Sequence, residues 1–219
     1  MHVVITGANR GIGLALTQAY LAQGHEVSAL CRKASEALTA SGASVVEGVD
    51  VSDADTLTTL TDALKGQTID ILINNAGLLA GDSLGQLRWQ DIEAQFAVNA
   101  LGPLRVTHAL LSQLTSGSKI ALITSRMGSV ADNSSGGYYG YRMSKAALNI
   151  AGKSLAVDLA PKGIAVAILH PGFVQTDMVG HAGDISAVDA AQRLVARIAE
   201  TNLVDSGQFR HGNGDPLPW

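Results

Sequence analysis

Short apolar runs alternate along this chain with longer amphipathic stretches. The runs at 2–6, 25–31, 43–47, 69–73, 118–124, 163–169 and, last, 207–210 are rich in Val, Ile and Leu and read as strands. Between them, 11–23, 53–65, 88–115, 139–160 and 186–201 carry helix formers, with apolar positions at helical spacing such as Ile12, Leu16, Ala19 and Tyr20. Gly and Pro punctuate the joins. Several strand runs are apolar at successive positions, the pattern of parallel strands covered on both faces. Strand alternating with helix predicts an α/β fold, a doubly wound parallel sheet of Rossmann type. With no linker and no low-complexity segment, residues 1–219 are expected to form a single domain.

Composition narrows the class. A chain of 219 residues is long enough to bury a sizeable core. A net charge of −4 leaves no basic footprint for nucleic acid, so no such partner is expected. The first apolar run is a strand's length and enters a glycine-rich turn directly, so no signal peptide is expected. No apolar run reaches the ~18 residues of a membrane span. The expected compartment is therefore the cytoplasm, with no membrane partner. Cys31 is the sole cysteine, which excludes an intrachain disulfide and a metal cluster built on thiolates, and no metal is expected.

Two features carry chemistry. Gly7-Ala8-Asn9-Arg10-Gly11-Ile12-Gly13 lies between the first strand and the first helix. Glycines there allow a tight turn and close backbone approach, and the helix start turns free N–H groups toward an anion. Far downstream, Tyr141 and Lys145 stand four residues apart, on one face of a helix. A cation about 5 Å from a phenol, at an effective dielectric near 20, favours the phenolate by roughly 3 kcal/mol, or about two pKa units. Lys145 is thus expected to bring the Tyr141 pKa below the free value of about 10.

With Thr-Gly-x-x-x-Gly-Ile-Gly at 6–13 and Tyr-x-x-x-Lys at 141–145, the chain resembles the short-chain dehydrogenase/reductase family. Asn74-Asn75-Ala76-Gly77, Asn99, Ser125 and the Pro171-Gly172…Thr176 loop match further family motifs in order. The resemblance implies that Gly7, Asn9, Arg10, Gly11, Ile12 and Gly13 hold dinucleotide phosphates. Asn75, Ala76 and Gly77 line the same groove, Asp50 and Val51 meet the adenine, and Pro171, Gly172, Val174 and Thr176 border the nicotinamide. It also implies a catalytic set. Tyr141 would donate the proton, Ser125 would stabilise the developing oxyanion, and Lys145 would tune Tyr141 and hold the nicotinamide ribose. Asn99 would hold a water that relays protons from Lys145. The expected function is hydride transfer between a nicotinamide and a small-molecule carbonyl or alcohol. A binding or signalling protein that senses nucleotide redox state without turnover is the alternative, as is an NAD-using alcohol dehydrogenase.

Charge speaks to the cofactor. The second strand ends in Cys31-Arg32-Lys33, with no carboxylate to take a ribose 2′-hydroxyl. Arg32, with Arg10 from the glycine turn, suits a 2′-phosphate, so NADP(H) is expected over NAD(H). Asp53 is expected to cap the helix that follows it.

Several neighbours compete for roles. Tyr138 and Tyr139 lie close to Tyr141, but neither has a lysine one turn on. Thr124 rivals Ser125, although adjacent strand residues face opposite sides. The segment Arg126 to Gly140 is expected to be a flexible loop beside substrate. His170 is expected to pack behind the cofactor. The stretch His170 to Met178 and the terminal Leu217-Pro218-Trp219 resemble the small carbonyl-reductase-like branch of the family. Only 179–185 is available as a lid, too short for a helix pair. Small residues Ala146, Ala147, Gly152 and Ala156 in the helix 139–160 are expected to permit close packing against a second copy, giving a homo-oligomer.

Overall fold

A computed structural model describes residues 1–219. Its seven strands form one all-parallel sheet in the order β3-β2-β1-β4-β5-β6-β7. The strands are β1 (His2–Thr6), β2 (Glu26–Leu30), β3 (Ser44–Val46), β4 (Ile69–Asn74), β5 (Leu114–Ile123), β6 (Ala165–His170) and β7 (Phe209–His211). The helices are α1 (Gly11–Ala22), α2 (Glu36–Thr39), α3 (Leu57–Ala63), α4 (Trp89–Phe96), α5 (Gly102–Ala109), α6 (Tyr139–Leu159) and α7 (Ala187–Glu200).

Alternate strand residues feed two cores. Val3, Ile5, Ile71 and Ile73 pack with Leu16 of α1 and Leu194 of α7 on one face. Val4, Leu72, Leu122 and Ile168 pack with Leu60, Val106 and Leu148 from α3, α5 and α6 on the other. Side-chain period two, with both faces covered, is why these strands read as continuous apolar runs. The doubly wound α/β fold is as expected. β1 pairs with both β2 and β4, so the strand order reverses there and opens a crevice at the carboxyl ends.

The helix expected over 88–115 is not one helix. After α4, residues Ala97–Leu101 form a π-helical turn, α5 follows, and Leu114 already belongs to β5. Pro103, in the first turn of α5, has no N–H to continue the ladder. Gly102 lies against Val51, where a Cβ would be 2.9 Å from a methyl group. The single-turn α2, capped by Ser35, was not visible in the pattern because it is too short to show a period. Asp53 does not cap α3: its carboxylate accepts from Asp55 N–H, and the helix starts later, at Leu57.

The small residues of α6 also fall differently. Gly152 and Ala156 are buried, and a Cβ on Gly152 would be 2.7 Å from Leu122 Cδ1. They let α6 seat on the sheet, while Ala146 and Ala147 are half-buried. The outward face instead carries Met143, Ile150 and Val157, all exposed and seven residues apart.

Candidate active site

The crevice begins at the end of β1. Thr6 Oγ1 accepts from the N–H groups of Asn75 (3.0 Å) and Ala76 (3.1 Å). In return Asn75 Nδ2 donates to the carbonyls of Thr6 (3.0 Å) and Gly7 (3.2 Å). These bonds lock the turn after β1 to the turn after β4. Gly7 and Gly11 have φ of +65° and +54°, the left-handed region that glycine enters without strain. A Cβ on Gly13 would sit 2.2 Å from the Gly7 carbonyl oxygen. α1 starts after Arg10 with no side-chain cap, so its first N–H groups remain open to an anion. This cradle fits a dinucleotide's phosphates.

One cleft of about 1040 Å³ runs from there across the sheet's carboxyl edge. Of the residues expected at the site, all but Asn99 line it. At its mouth Arg32 is largely exposed and lies 3.9 Å from Asp50, while Arg10 reaches Asp177 at 3.3 Å. Burial pushes the Asp50 carboxyl up, but Ser52's hydroxyl and N–H, and then Arg32, outweigh it, so the net shift is downward.

At the far end β5 leads into Thr124 and Ser125. Both border the cleft, but the Thr124 Oγ1 is committed, donating to Asn149 Oδ1 of α6 at 2.6 Å, whereas the Ser125 Oγ accepts from Met127 N–H at 3.2 Å. Tyr141 and Lys145 are both buried and both line the cleft. α6 comes close because Gly128 has no Cβ: one there would be 2.7 Å from the Lys145 carbonyl carbon.

The electrostatics differ from the expectation. Burial pushes the Tyr141 phenol up to about 12, with the Ser125 hydroxyl pulling the other way. Lys145 Nζ is 5.8 Å from the phenol ring centroid, but donates to the Ile123 carbonyl at 2.9 Å. Its own pKa is lowered by burial to about 8. Desolvation therefore sets the direction, and the depression of Tyr141 expected from Lys145 is not found.

Asn99 lies in the π-turn and is fully buried. Its Oδ1 accepts from Leu78 N–H at 2.8 Å, and its Nδ2 donates to the Leu78 carbonyl (2.8 Å) and Ser144 Oγ (3.0 Å). Both amide hydrogens are used within the protein, so this side chain braces the segment after Asn75-Ala76-Gly77. Tyr138 stands at the entry to α6 with φ of 51° and also lines the cleft.

Three anchors escaped the pattern. Asp82 accepts from the N–H groups of Tyr139 and Gly140 (3.0 Å) through its carboxylate, and from Tyr138 N–H (2.9 Å) through its carbonyl. Gln95, wholly buried, accepts from Ala80 N–H at 2.9 Å. Thr6 is the third. Each acts over a long sequence separation, and only Thr6, at the strand–turn junction, had a local signal. The loop from Arg126 is tied down: Arg126 Nη2 meets Asp132 at 2.6 Å, and Ala131 N–H donates to the Trp219 carbonyl at 2.9 Å. The segment 179–185 follows the 3₁₀ turn Asp177–Val179 and holds no helix pair, with Val174 bridged to Ile185, and is as short as expected.

A nucleotide-type crevice with a buried Ser–Tyr–Lys cluster at one end defines an oxidoreductase of the short-chain class. The family model for short chain dehydrogenases matches residues 1–200, and the chain belongs to that family. It is 37% identical over 223 residues to the 1-hydroxy-2-glutathionyl-2-methyl-3-butene dehydrogenase of a Rhodococcus species, covering 99% of each chain. It is 46% identical over 154 residues to the C-signal protein of Myxococcus xanthus, covering 69% of this chain and 93% of that one. Among solved structures it is similar to the NADPH-bound carbonyl reductase from chicken fatty liver, at 28% identity and a TM-score of 0.89, covering 100% of this chain and 98% of the other. The carbonyl-reductase-like branch expected from the sequence is thus supported. No helix is long and apolar enough to cross a membrane.

Proposed function

We propose that the protein is an NADPH-dependent carbonyl reductase in which Tyr141 is the proton donor. The observation that carries this reading is that Ser125, Tyr141 and Lys145 line the same cleft as the glycine turn and the Pro171 loop. When bound, the reduced nicotinamide supplies a hydride to the carbonyl carbon. Negative charge then develops on the carbonyl oxygen. Ser125 Oγ donates a hydrogen bond to that oxygen, and Tyr141 gives it the proton. A phenol held up to about 12 stays protonated at neutral pH, the form that carbonyl reduction needs. Lys145 is the nearest cation and stabilises the phenolate left behind. Asn99 acts one layer back, holding Leu78 and Ser144 in place.

Arg32 and Arg10 at the mouth favour a 2′-phosphate, which supports NADP(H) over NAD(H), as does the NADPH-bound carbonyl reductase similar to this chain. The likeness to a protein named for signalling favours a second reading, a nucleotide-dependent sensor. A panel of quinones, aromatic aldehydes and α-dicarbonyls with NADPH separates the two. Oxidation of NADPH by at least one substrate class is the expected result; tight NADPH binding with no turnover on any would favour the sensor.

The pH profile adds a check. Raising pH neutralises Lys145 first, through about 8, so the alkaline limb of reduction should lie there. Alcohol oxidation needs the phenolate and should rise toward the Tyr141 value of about 12. A reduction limb unchanged in Lys145→Met would remove Lys145 from the reaction. The exposed apolar stripe Met143–Ile150–Val157 on α6 supports a homo-oligomer. Light scattering should give a multiple of the 22.6 kDa chain mass, and a monomer at micromolar concentration would end that idea.

A further inference from the structure

His170 ends β6 directly before Pro171, one residue past the Leu169–Ile123 pair, and so lies level with Thr124, at the end of the cleft that Ser125 also lines. It is only 7% exposed, yet it lines the cleft. Its Nδ1 is sealed from solvent without a partner, and its Nε2 has no hydrogen bond to the protein either. The neighbouring ring of His211 stands edge-on at 5.0 Å and 72°, and its Nδ1 is occupied by the Asn213 N–H.

Burial and hydrogen-bond partners together fix the state of this imidazole. Burial, then His211, Arg126 and Lys145 drive its pKa down to about 3, against a weaker upward pull from Asp132, which Arg126 already engages. The ring is therefore neutral, with one N–H. A sealed, unpartnered N–H is rarer in proteins than a sealed, unpartnered acceptor. The proton therefore belongs on Nε2, the nitrogen left to face the cleft, and Nδ1 is the bare acceptor. Near Ser125 the other strong donor, Arg126, is held by Asp132 through two bonds of 2.8 and 2.6 Å. His170 is the uncommitted donor beside the hydroxyl assigned to the reacting oxygen.

We propose that His170 is a specificity-determining residue whose Nε2–H binds a second carbonyl oxygen adjacent to the one being reduced, so that the site selects vicinal dicarbonyls. The inference rests on the reductase reading above. A neutral donor suits this task, because it binds a carbonyl oxygen without attracting a carboxylate or phosphate. The same N–H chemistry could be met by the carboxamide oxygen of the nicotinamide, and the experiment distinguishes the two sources.

The test compares phenanthrenequinone, a vicinal dione, with nitrobenzaldehyde, which has one carbonyl, in wild type, His170→Phe and His170→Asn. Losing one hydrogen bond to the substrate should lower kcat/KM for the dione by about tenfold in the Phe variant, mainly through KM. The aldehyde should change by less than about twofold, the NADPH Kd should hold, and Asn, which retains an N–H, should restore part of the loss. A raised NADPH Kd with both substrates falling alike would assign the N–H to the nicotinamide and overturn the proposal, as would an unchanged dione-to-aldehyde ratio. If wild type reduces neither compound, the reductase reading itself fails. Nitrogen NMR of the wild-type histidines stands apart from both folding of the variants and turnover. It should find His170 neutral with the proton on Nε2 at neutral pH, its signal moving when the dione is added to the NADP⁺ complex. An imidazolium, or a proton on Nδ1, would sink the idea.

Discussion

The two halves of the cleft are built differently. The nucleotide half is held by backbone contacts and partly buried hydrogen bonds to the backbone: Thr6 to Asn75 and Ala76, Asn75 back to Thr6 and Gly7, and Gly13 packed against the Gly7 carbonyl. The substrate half is held by side chains: Asp82 reaches the start of α6 from 57 and 58 residues away, and Arg126 meets Asp132 within its own loop. Buried, backbone-determined geometry tolerates almost no change. Surface ion pairs are worth about 0–1 kcal/mol each and can vary with the substrate. One half thus fixes the cofactor, and the other is free to diversify.

The largest contrast should come from glycine substitutions. In Gly13→Ala the new Cβ meets the Gly7 carbonyl oxygen at 2.2 Å, so we expect a loss of about 3 kcal/mol or more and no measurable nucleotide binding. Gly136→Ala in the substrate loop has nothing within 4 Å and only its φ of +63° to strain it, about 1–2 kcal/mol. Urea melts and NADPH titrations of both variants measure this, and similar losses would erase the distinction between the halves.

A smaller effect is expected from Asp82→Ala, which removes the carboxylate that receives Tyr139 and Gly140. Charge-assisted bonds of this kind are worth about 1.5–3 kcal/mol. Since they set the start of α6, kcat should fall about tenfold while the NADPH Kd stays put. Loss of cofactor affinity instead would show that the two halves are mechanically one.

Smallest is the charge at the mouth. Arg32→Asp should move the NADPH-to-NADH preference by about tenfold or more, roughly 1.4 kcal/mol, with little change in stability because Arg32 is exposed. Unchanged KM values for both cofactors would make Arg32 a solvated bystander and turn attention to Arg10.

The same division explains what the sequence revealed. β1, the glycine turn and α1 were legible because their signals are local: an apolar run, glycines where φ is positive, then helical period. Tyr141, Lys145 and Ser125 were legible through their spacing and the resemblance, and they line one cleft. The break in the helix over 88–115 was not, because a π-turn keeps helical composition and only Pro103 marks the change. Nor could spacing give the sign of the Tyr141 shift. The cation was visible in the sequence, but the burial that raises the phenol depends on how α6 packs on β5 and β6. Asp82 carried no local signal at all, and His170 was placed near the cofactor only by its position before Pro171, since the meaning of both lies in the groups that the fold brings to them.

The central claim is that Tyr141 is the proton donor in a site whose cofactor half does not depend on it. Steady-state reduction by Tyr141→Phe at saturating NADPH, with the Kd of NADPH measured alongside, tests it most directly. The account predicts that kcat falls by about 10²–10⁴-fold with the Kd unchanged. Wild-type turnover in that variant would contradict it and move the proton donor to Tyr138, the other tyrosine lining the cleft.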